Sequence, residues 1–387
     1  MERLSALLAL IAGCSFSAEA PANPGGDDTP GIDAALPGDA SVADGAPCVP
    51  GFLDLCSQAA PLIPTLDITD AQSINTDTDT RCRRLVQGGG GGDVCLIYAA
   101  SVHVATTGSI TATGKRSLAI ASSSTMTIEG AIDVASHGGQ RGPAADAAGC
   151  TFARAPDKDL GGGGGGAGGS FTLPGGDGGT GDNDNSASPA GTATSGMHGA
   201  TTTISVLRGG CVGQTGGDEA NGGGNGGSGG HSGGALYLFA RQNLVITGTV
   251  RATGTGGGGG DVQSGGGGGG TGGLVIIESP SITISGQISA NGGGGGQGGG
   301  RLNENDISGN PGTDGAMGTT PAAGGSGVAG GEVRFGFGGA GGATTAAISG
   351  TAADFGGGGG GGAAGVIQLL GAQQQLSGST ISPAPTP

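Results

Sequence analysis

Five stretches of this chain repeat one apolar alternation around a glycine, and that repeat constrains the fold more than any other feature. In GGALYLFARQNLVITGTVRATG (233–254) the anchor is Gly248. DVCLIYAASVHVATTGSITATG (93–114) places Gly108 there, and KRSLAIASSSTMTIEGAIDVAS (115–136) places Gly130. TGGLVIIESPSITISGQISANG (271–292) places Gly286; GVIQLLGAQQQLSGSTIS (365–382) places Gly378 with a one-residue slip. Twelve residues before the anchor stand Leu96, Leu118, Leu236, Leu274 and Val366, and two before it Thr106, Ile128, Ile246, Ile284 and Leu376. Two after it stand Ile110, Ile132, Val250 and Ile288, and four after it Ala112, Val134, Ala252 and Ala290. A sixth, degenerate copy runs from Val333, Phe335 and Phe337 to Ile348 and Gly350.

Alternation by two is a strand signal, so each copy holds two short strands, the second continuing past the glycine. Gly108 and Gly130 stand 22 residues apart with nothing inserted; the other copies are separated by insertions at one phase of the repeat. That is how a solenoid appears in sequence, because one copy cannot bury its apolar face alone. The expected fold class is all-β: a parallel β-helix of six rungs, roughly 30 Å long at ~4.8 Å per rung. The anchor glycine suits a bend or a position of positive φ. An antiparallel β-sandwich of hairpins is the alternative, disfavoured by the lack of Asn-Gly or Asp-Gly turns between the strands of a unit.

Composition agrees with a thin aliphatic core. Glycine supplies 98 of 387 residues, Trp is absent, and there are only two Tyr and eight Phe. The insertions, 137–232, 254–272 and 292–331, have a Gly-Gly-X texture, as in GGGNGGSGGHSGG (222–234). They read either as flexible linker or as packed polyglycine II, a threefold extended helix whose neighbours approach closely for want of side chains. Their constant point of departure favours ordered segments.

The N-terminus carries an export signal. Arg3 precedes an apolar run from Leu4 to Ile11, too short to span a bilayer, and Ile11-Ala12-Gly13-Cys14 resembles a bacterial lipobox. The expected organisation is a signal peptide at 1–13, a lipidated Pro/Ala/Asp-rich disordered tether at 14–60, the glycine-rich β-helix at 61–382 and a disordered tail at 383–387. Acylation of Cys14 would make the membrane the first partner, in the bacterial envelope, with Ser15 after the cysteine pointing to an outer-membrane lipoprotein facing outward or toward the periplasm. Six further cysteines, Cys48, Cys56, Cys82, Cys95, Cys150 and Cys211, suit an oxidising compartment. Of 15 possible pairings, loop closure favours sequence neighbours: Cys48–Cys56, Cys82–Cys95 and Cys150–Cys211.

The repeat GG-[AL]-Φ-x-Φ…Φ-x-G-x-Φ-x-A-x-G resembles the glycine-rich β-helix surface proteins of bacteria over about residues 85–382. It is similar, more loosely, to the glycine-rich repeats of mycobacterial PE-PGRS proteins, whose defining N-terminal domain has no counterpart here. The resemblance implies architecture and a surface setting.

Chemistry is sparse. A net charge of −16 with only two lysines, Lys115 and Lys158, argues against nucleic acid, which needs clustered cations. No C-x-x-C or H-E-x-x-H spacing marks a metal, and His103, His137, His198 and His231 are scattered. GGGGGDVCL (88–96) matches a calcium-binding nonapeptide once, without the tandem copies such sites need. Asp182, Asn183, Asp184 and Asn185 read as a solvated loop tip. Glu129, Asp133, Arg251 and Glu278 stand at unlike phases, and Thr111, Thr113, Thr247 and Thr249 do not recur in register. No cofactor, metal or catalytic residue is expected. The expected role is structural or adhesive, toward matrix, extracellular polysaccharide or a neighbouring cell surface. The alternative is a carbohydrate-active β-helix enzyme, a polysaccharide lyase or hydrolase.

Overall fold

The computed structural model describes residues 51–61, 63–89, 91–184, 192–302, 305–327 and 334–386. Among these the protein is all-β, with 19 strands and no helix. β1 (Ile63–Ile68) and β2 (Ala71–Asn75) come first; β3 (Arg83–Leu85) then pairs antiparallel with β4 (Val94–Val104), and β5 (Ser109–Thr113) follows. Three units of three strands come next. The first is β6 (Ser117–Ser122), β7 (Thr125–Ile128) and β8 (Ala131–Asp133). The second is β9 (Ala235–Ala240), β10 (Asn243–Ile246) and β11 (Thr249–Arg251). The third is β12 (Leu274–Glu278), β13 (Ser281–Ile284) and β14 (Gln287–Ser289). A hairpin of β15 (Gly300–Leu302) and β16 (Asn305–Ile307) stands apart, and β17 (Val366–Leu370), β18 (Gln373–Gln375) and β19 (Thr380–Ser382) end the series.

Units pair strand to strand, in parallel. The first strands align as β4, β6, β9, β12, β17; the second as β1, β4, β7, β10, β13, β18; the third as β2, β5, β8, β11, β14, β19. β4 serves two ladders, because residues 94–99 pair with β6 while 102–104 pair with β7. The first two ladders therefore fuse into one 11-stranded sheet. It runs along one ladder to β4 and back along the other, so its ends, β17 and β18, are separated only by Gly371 and Ala372, and the sheet is nearly closed.

Matching residues stack from unit to unit. Cys95, Leu118, Leu236, Val275 and Ile367 are register partners in the first ladder. Val104, Ile128, Ile246 and Ile284 are partners in the second, and Ile110, Ile132, Val250, Ile288 and Ile381 in the third. All but Ile381 are buried in one continuous core cluster, and Ile381 packs against it. Stacked aliphatics hide from water only through their neighbours, so each unit depends on the next.

The alternation placed several residues on the wrong column. Leu96, Leu274 and Val366 do not join the core with Leu118 and Leu236; they face outward into a second cluster with Tyr237, Phe171, Leu53 and Leu55. The first ladder is covered on both faces, so its strands are apolar throughout and alternation cannot fix which face is inner. Thr106 is displaced by a longer corner, where Thr107 Oγ1 donates to Thr69 O at 2.8 Å, and Val104 takes its place. The degenerate copy is no strand unit. Phe335, Phe337, Ile348 and Gly350 lie among the glycine segments, Val333 is outside the described residues, and the sixth unit is instead 63–75. Residues 51–60, assigned to the tether, belong to the folded body through buried Leu53 and Leu55. In the segment assigned as a disordered tail, Thr386 donates its N–H to Ile367 O at 2.8 Å.

Gly108, Gly130, Gly248 and Gly286 stack at one corner. Each carbonyl accepts an N–H from the next unit: Ala131 (3.1 Å), Thr249 (2.9 Å), Gln287 (2.9 Å) and Thr380 (3.0 Å). None has positive φ; a Cβ at any of them would fall within 3.0 Å of the preceding unit's backbone. Close approach, not a left-handed turn, requires glycine here. Gly378 is outside the stack, at φ 80°.

The described glycine segments of the insertions are hydrogen-bonded to one another. Along 265–270, N–H groups donate in rotation to three different neighbours: Gly265 and Gly268 to Gly217 and Gln214, Gly266 and Gly269 to Gly357 and Gly360, Gly267 and Gly270 to Gly258 and Thr255. Three more segments donate to it, through Gly166 to Gly266, Gly230 to Gly268 and Gly296 to Gly267. Each segment advances its bonding direction by a third of a turn per residue, so one strand engages six neighbours. The segments 292–296 and 356–362 are likewise ringed by other glycine segments and, like 265–270, are uninterrupted glycine and buried. At the rim the texture changes to Gly-Gly-X. In 224–230, Gly224, Gly227 and Gly230 are buried while Asn225 and Ser228 are exposed.

Candidate functional site

A groove of about 1520 Å³ is lined mainly by three parts of the chain. The third ladder contributes outward Ser73 and Thr111, which are register partners on β2 and β5, and Thr113. The segment 139–148 contributes Gln140, Arg141 and Asp146, and the segment 201–208 contributes a run of hydroxyls with Arg208.

Each of those segments is held by side chains. Asp146 sits at φ 55°, a left-handed conformation that aspartate tolerates through local hydrogen bonding. Its N–H donates to Ser232 Oγ (2.7 Å), its Oδ1 accepts from Ser232 N (2.9 Å), and its Oδ2 lies 2.7 Å from His231 Nδ1 and 3.1 Å from Arg141 Nε. The other segment is clamped at Leu207, whose N–H donates to Gln87 Oε1 (2.6 Å) and whose carbonyl accepts from Gln87 Nε2 (2.9 Å) and Ser117 Oγ (2.8 Å). The Cys150–Cys211 disulfide joins the two neighbourhoods.

The groove's carboxylates are engaged. Asp146 is occupied as above; Asp77 accepts Lys115 N at 2.9 Å and lies 4.0 Å from Arg116 Nε. Lys115 Nζ and the Arg208 guanidinium have no carboxylate partner among the described residues. Lys115 is exposed after Gly114, whose φ of 119° turns the chain. Arg208 lies 5.6 Å from the Phe171 ring centroid and donates to the sulfurs of Cys150 (3.2 Å) and Cys211 (3.4 Å). Burial pushes its guanidinium below its ordinary pKa, yet an arginine stays charged. Thr202 Oγ1, also in the lining, is buried with no hydrogen-bond partner. The groove thus offers hydroxyls and two uncompensated cations in a chain of net charge −16.

Of the residues singled out by sequence, Cys14 and Cys48 lie outside the described residues. Cys82–Cys95 and Cys150–Cys211 are disulfides, and Cys56 is disulfide-bonded too. The four histidines are not idle. His103, His137, His198 and His231 each lie 2.7–2.9 Å from a carboxylate, of Asp67, Asp133, Asp177 and Asp146. Asp67 and then Glu129 hold His103 above its ordinary pKa. Asp133 and Arg251, placed at unlike phases by sequence, are register partners on β8 and β11. Asp182 is no loop tip: it is buried at the end of a glycine segment, its N–H donating to Phe355 O at 3.1 Å. Glu278 lies beneath the segment 51–55, accepting from Tyr237 Oη (2.8 Å) and Phe52 N (2.9 Å). Burial, reinforced by Glu278, raises the Tyr237 phenol well above its ordinary pKa.

Among the described residues no group of three or more His, Cys, Asp or Glu could hold a metal ion, and no helix is long and apolar enough to cross a membrane. No family model, curated protein or solved structure matches this chain.

Proposed function

We propose that this chain is an exported, lipid-anchored surface protein with a structural or adhesive role, its body a parallel β-solenoid braced by a polyglycine II bundle. The observation that carries the reading is the rung order: from β6 onward each unit adds one strand to each of three ladders, always beside the preceding unit, and β4 with β5 and β1 with β2 extend the same ladders. Winding of this kind supports a β-helix. The threefold rotation of hydrogen-bond partners along 265–270 supports polyglycine II. Such a body is stiff, polar on its rim and poor in reactive side chains, which suits a spacer or contact surface more than a reaction vessel. The lipobox at Cys14 and the Pro/Ala/Asp-rich segment after it supply the anchor in this reading.

The test is fractionation and adhesion in a bacterial host that acylates lipoproteins. Cys14→Ser moves the protein from the membrane to the soluble fraction and removes any adhesion it confers on cells plated on polysaccharide-coated surfaces. Membrane association and adhesion unchanged by Cys14→Ser would refute the reading.

A further inference from the structure

We propose that the groove between the third ladder and the segment 201–208 binds an acidic polysaccharide, with uronate carboxylates on Lys115 and Arg208 and sugar hydroxyls on the threonine and serine lining. The assignment rests on the adhesive reading above and names its ligand class.

Size argues first. At about 1520 Å³ the groove exceeds the roughly 300–1,000 Å³ typical of small-molecule sites, so it suits several units of a chain. Chemistry narrows the choice. Ser73 and Thr111 present hydroxyls one strand apart, a spacing of ~4.8 Å within reach of vicinal hydroxyls on one sugar. Thr201, Thr203 and Ser205, exposed along the facing segment, add a second row of hydroxyls.

Charge sets the ligand's sign. The two carboxylates of the lining are already paired, leaving Lys115 and Arg208 to face an anion. Lys115 acts as a point charge, and Arg208 offers Nη1, since its Nε donates to Gly209 O (3.3 Å) and its Nη2 to the two sulfurs. Nucleic acid fits less well: the lining has no Phe, Tyr or Trp on which bases could stack, its imidazole, His231, being held by Asp146, and two cations are few for a phosphate backbone. A protein partner would need a large apolar anchor pocket, and apart from Val206 and Leu207 the lining side chains are small or polar.

The experiment is affinity electrophoresis of the full chain through gels containing polygalacturonate, with neutral dextran as comparison. Polygalacturonate retards the protein, less so as salt is raised, and dextran does not. Lys115→Gln weakens apparent affinity at least fivefold. Lys158→Gln, which removes the same charge from an ion pair with Asp218 outside the groove, leaves it unchanged. Lys115 is exposed, so its variant keeps the wild-type urea midpoint. Absent retardation, equal retardation by dextran, or unaltered retention of Lys115→Gln overturns the groove assignment. The surface role stands or falls separately, on the Cys14→Ser adhesion result.

Discussion

Replacing Gly268 by alanine is the sharpest single perturbation. A Cβ at Gly268 would meet Ala167 O, Ala167 C and Gly168 N, all backbone and all within 3.0 Å. No rotamer relieves a clash between main chains, so 265–270 must move away from 161–169. Three backbone hydrogen bonds join 161–169 to this strand and the residues just before it: Gly163 N to Gln263 O (3.0 Å), Gly166 N to Gly266 O (2.9 Å) and Gly169 N to Gly269 O (3.0 Å). At about 1 kcal/mol each, their loss amounts to about 3 kcal/mol, within the upper range for overpacking a core. A flexible linker behaves oppositely: Gly→Ala there stabilises by about 0.4–1 kcal/mol through the unfolded chain. Gly88, where an added Cβ meets nothing within 4 Å and φ is not positive, is the internal comparison. Equilibrium urea unfolding of the full chain reads both variants. Gly268→Ala lowers the midpoint and Gly88→Ala does not. A Gly268→Ala midpoint equal to or above wild type refutes the argument.

Three further outcomes follow from the side-chain contacts. The His103 pKa is raised by Asp67, so the stability this pairing adds is fully present below the ordinary imidazole value of 6.5 and is lost as pH rises through the folded value; NMR titration gives a midpoint above 6.5, and Asp67→Asn lowers it. Tyr237→Phe removes a donor from the Glu278 carboxylate beneath residues 51–55 and costs about 1–3 kcal/mol, read by urea unfolding at neutral pH. Cys150→Ser with Cys211→Ser opens a disulfide spanning 61 residues and lowers stability by about 2–4 kcal/mol; unchanged thermal unfolding would remove that bond from the account.

The third ladder was legible from β5 to β14, because Ile110, Ile132, Val250 and Ile288 alternate there with polar or small residues and the period fixes their direction. The first ladder was half legible. Its strands, such as SLAIAS and LVIIE, are apolar on both faces, so a one-residue change in corner length turned Leu274 outward without leaving a trace in the pattern. Residues 63–75 escaped notice because they lack an anchor glycine and present only Leu66, Ile68 and Ile74 to the core.

The glycine runs carried more than their composition suggested. Uninterrupted runs, 265–270 and 356–362, are interior, where every direction meets a neighbouring backbone; Gly-Gly-X runs, such as 224–230, are rim, where one direction in three is free. That distinction was present in the sequence, but it has meaning only once the threefold packing is known. The groove was not legible. Ser73, Lys115 and Arg208 come from distant parts of the chain, and Leu207 is positioned by Gln87, 120 residues away.

Amide hydrogen exchange across the glycine segments tests the central claim most directly. Gly266, Gly269, Gly357 and Gly360 are buried and bonded within the bundle, so peptides covering 265–270 and 356–362 exchange as slowly as β12 while Gly88 exchanges at once. Exchange of those two segments at the rate of an unstructured chain, with β12 still protected, would contradict the ordered bundle.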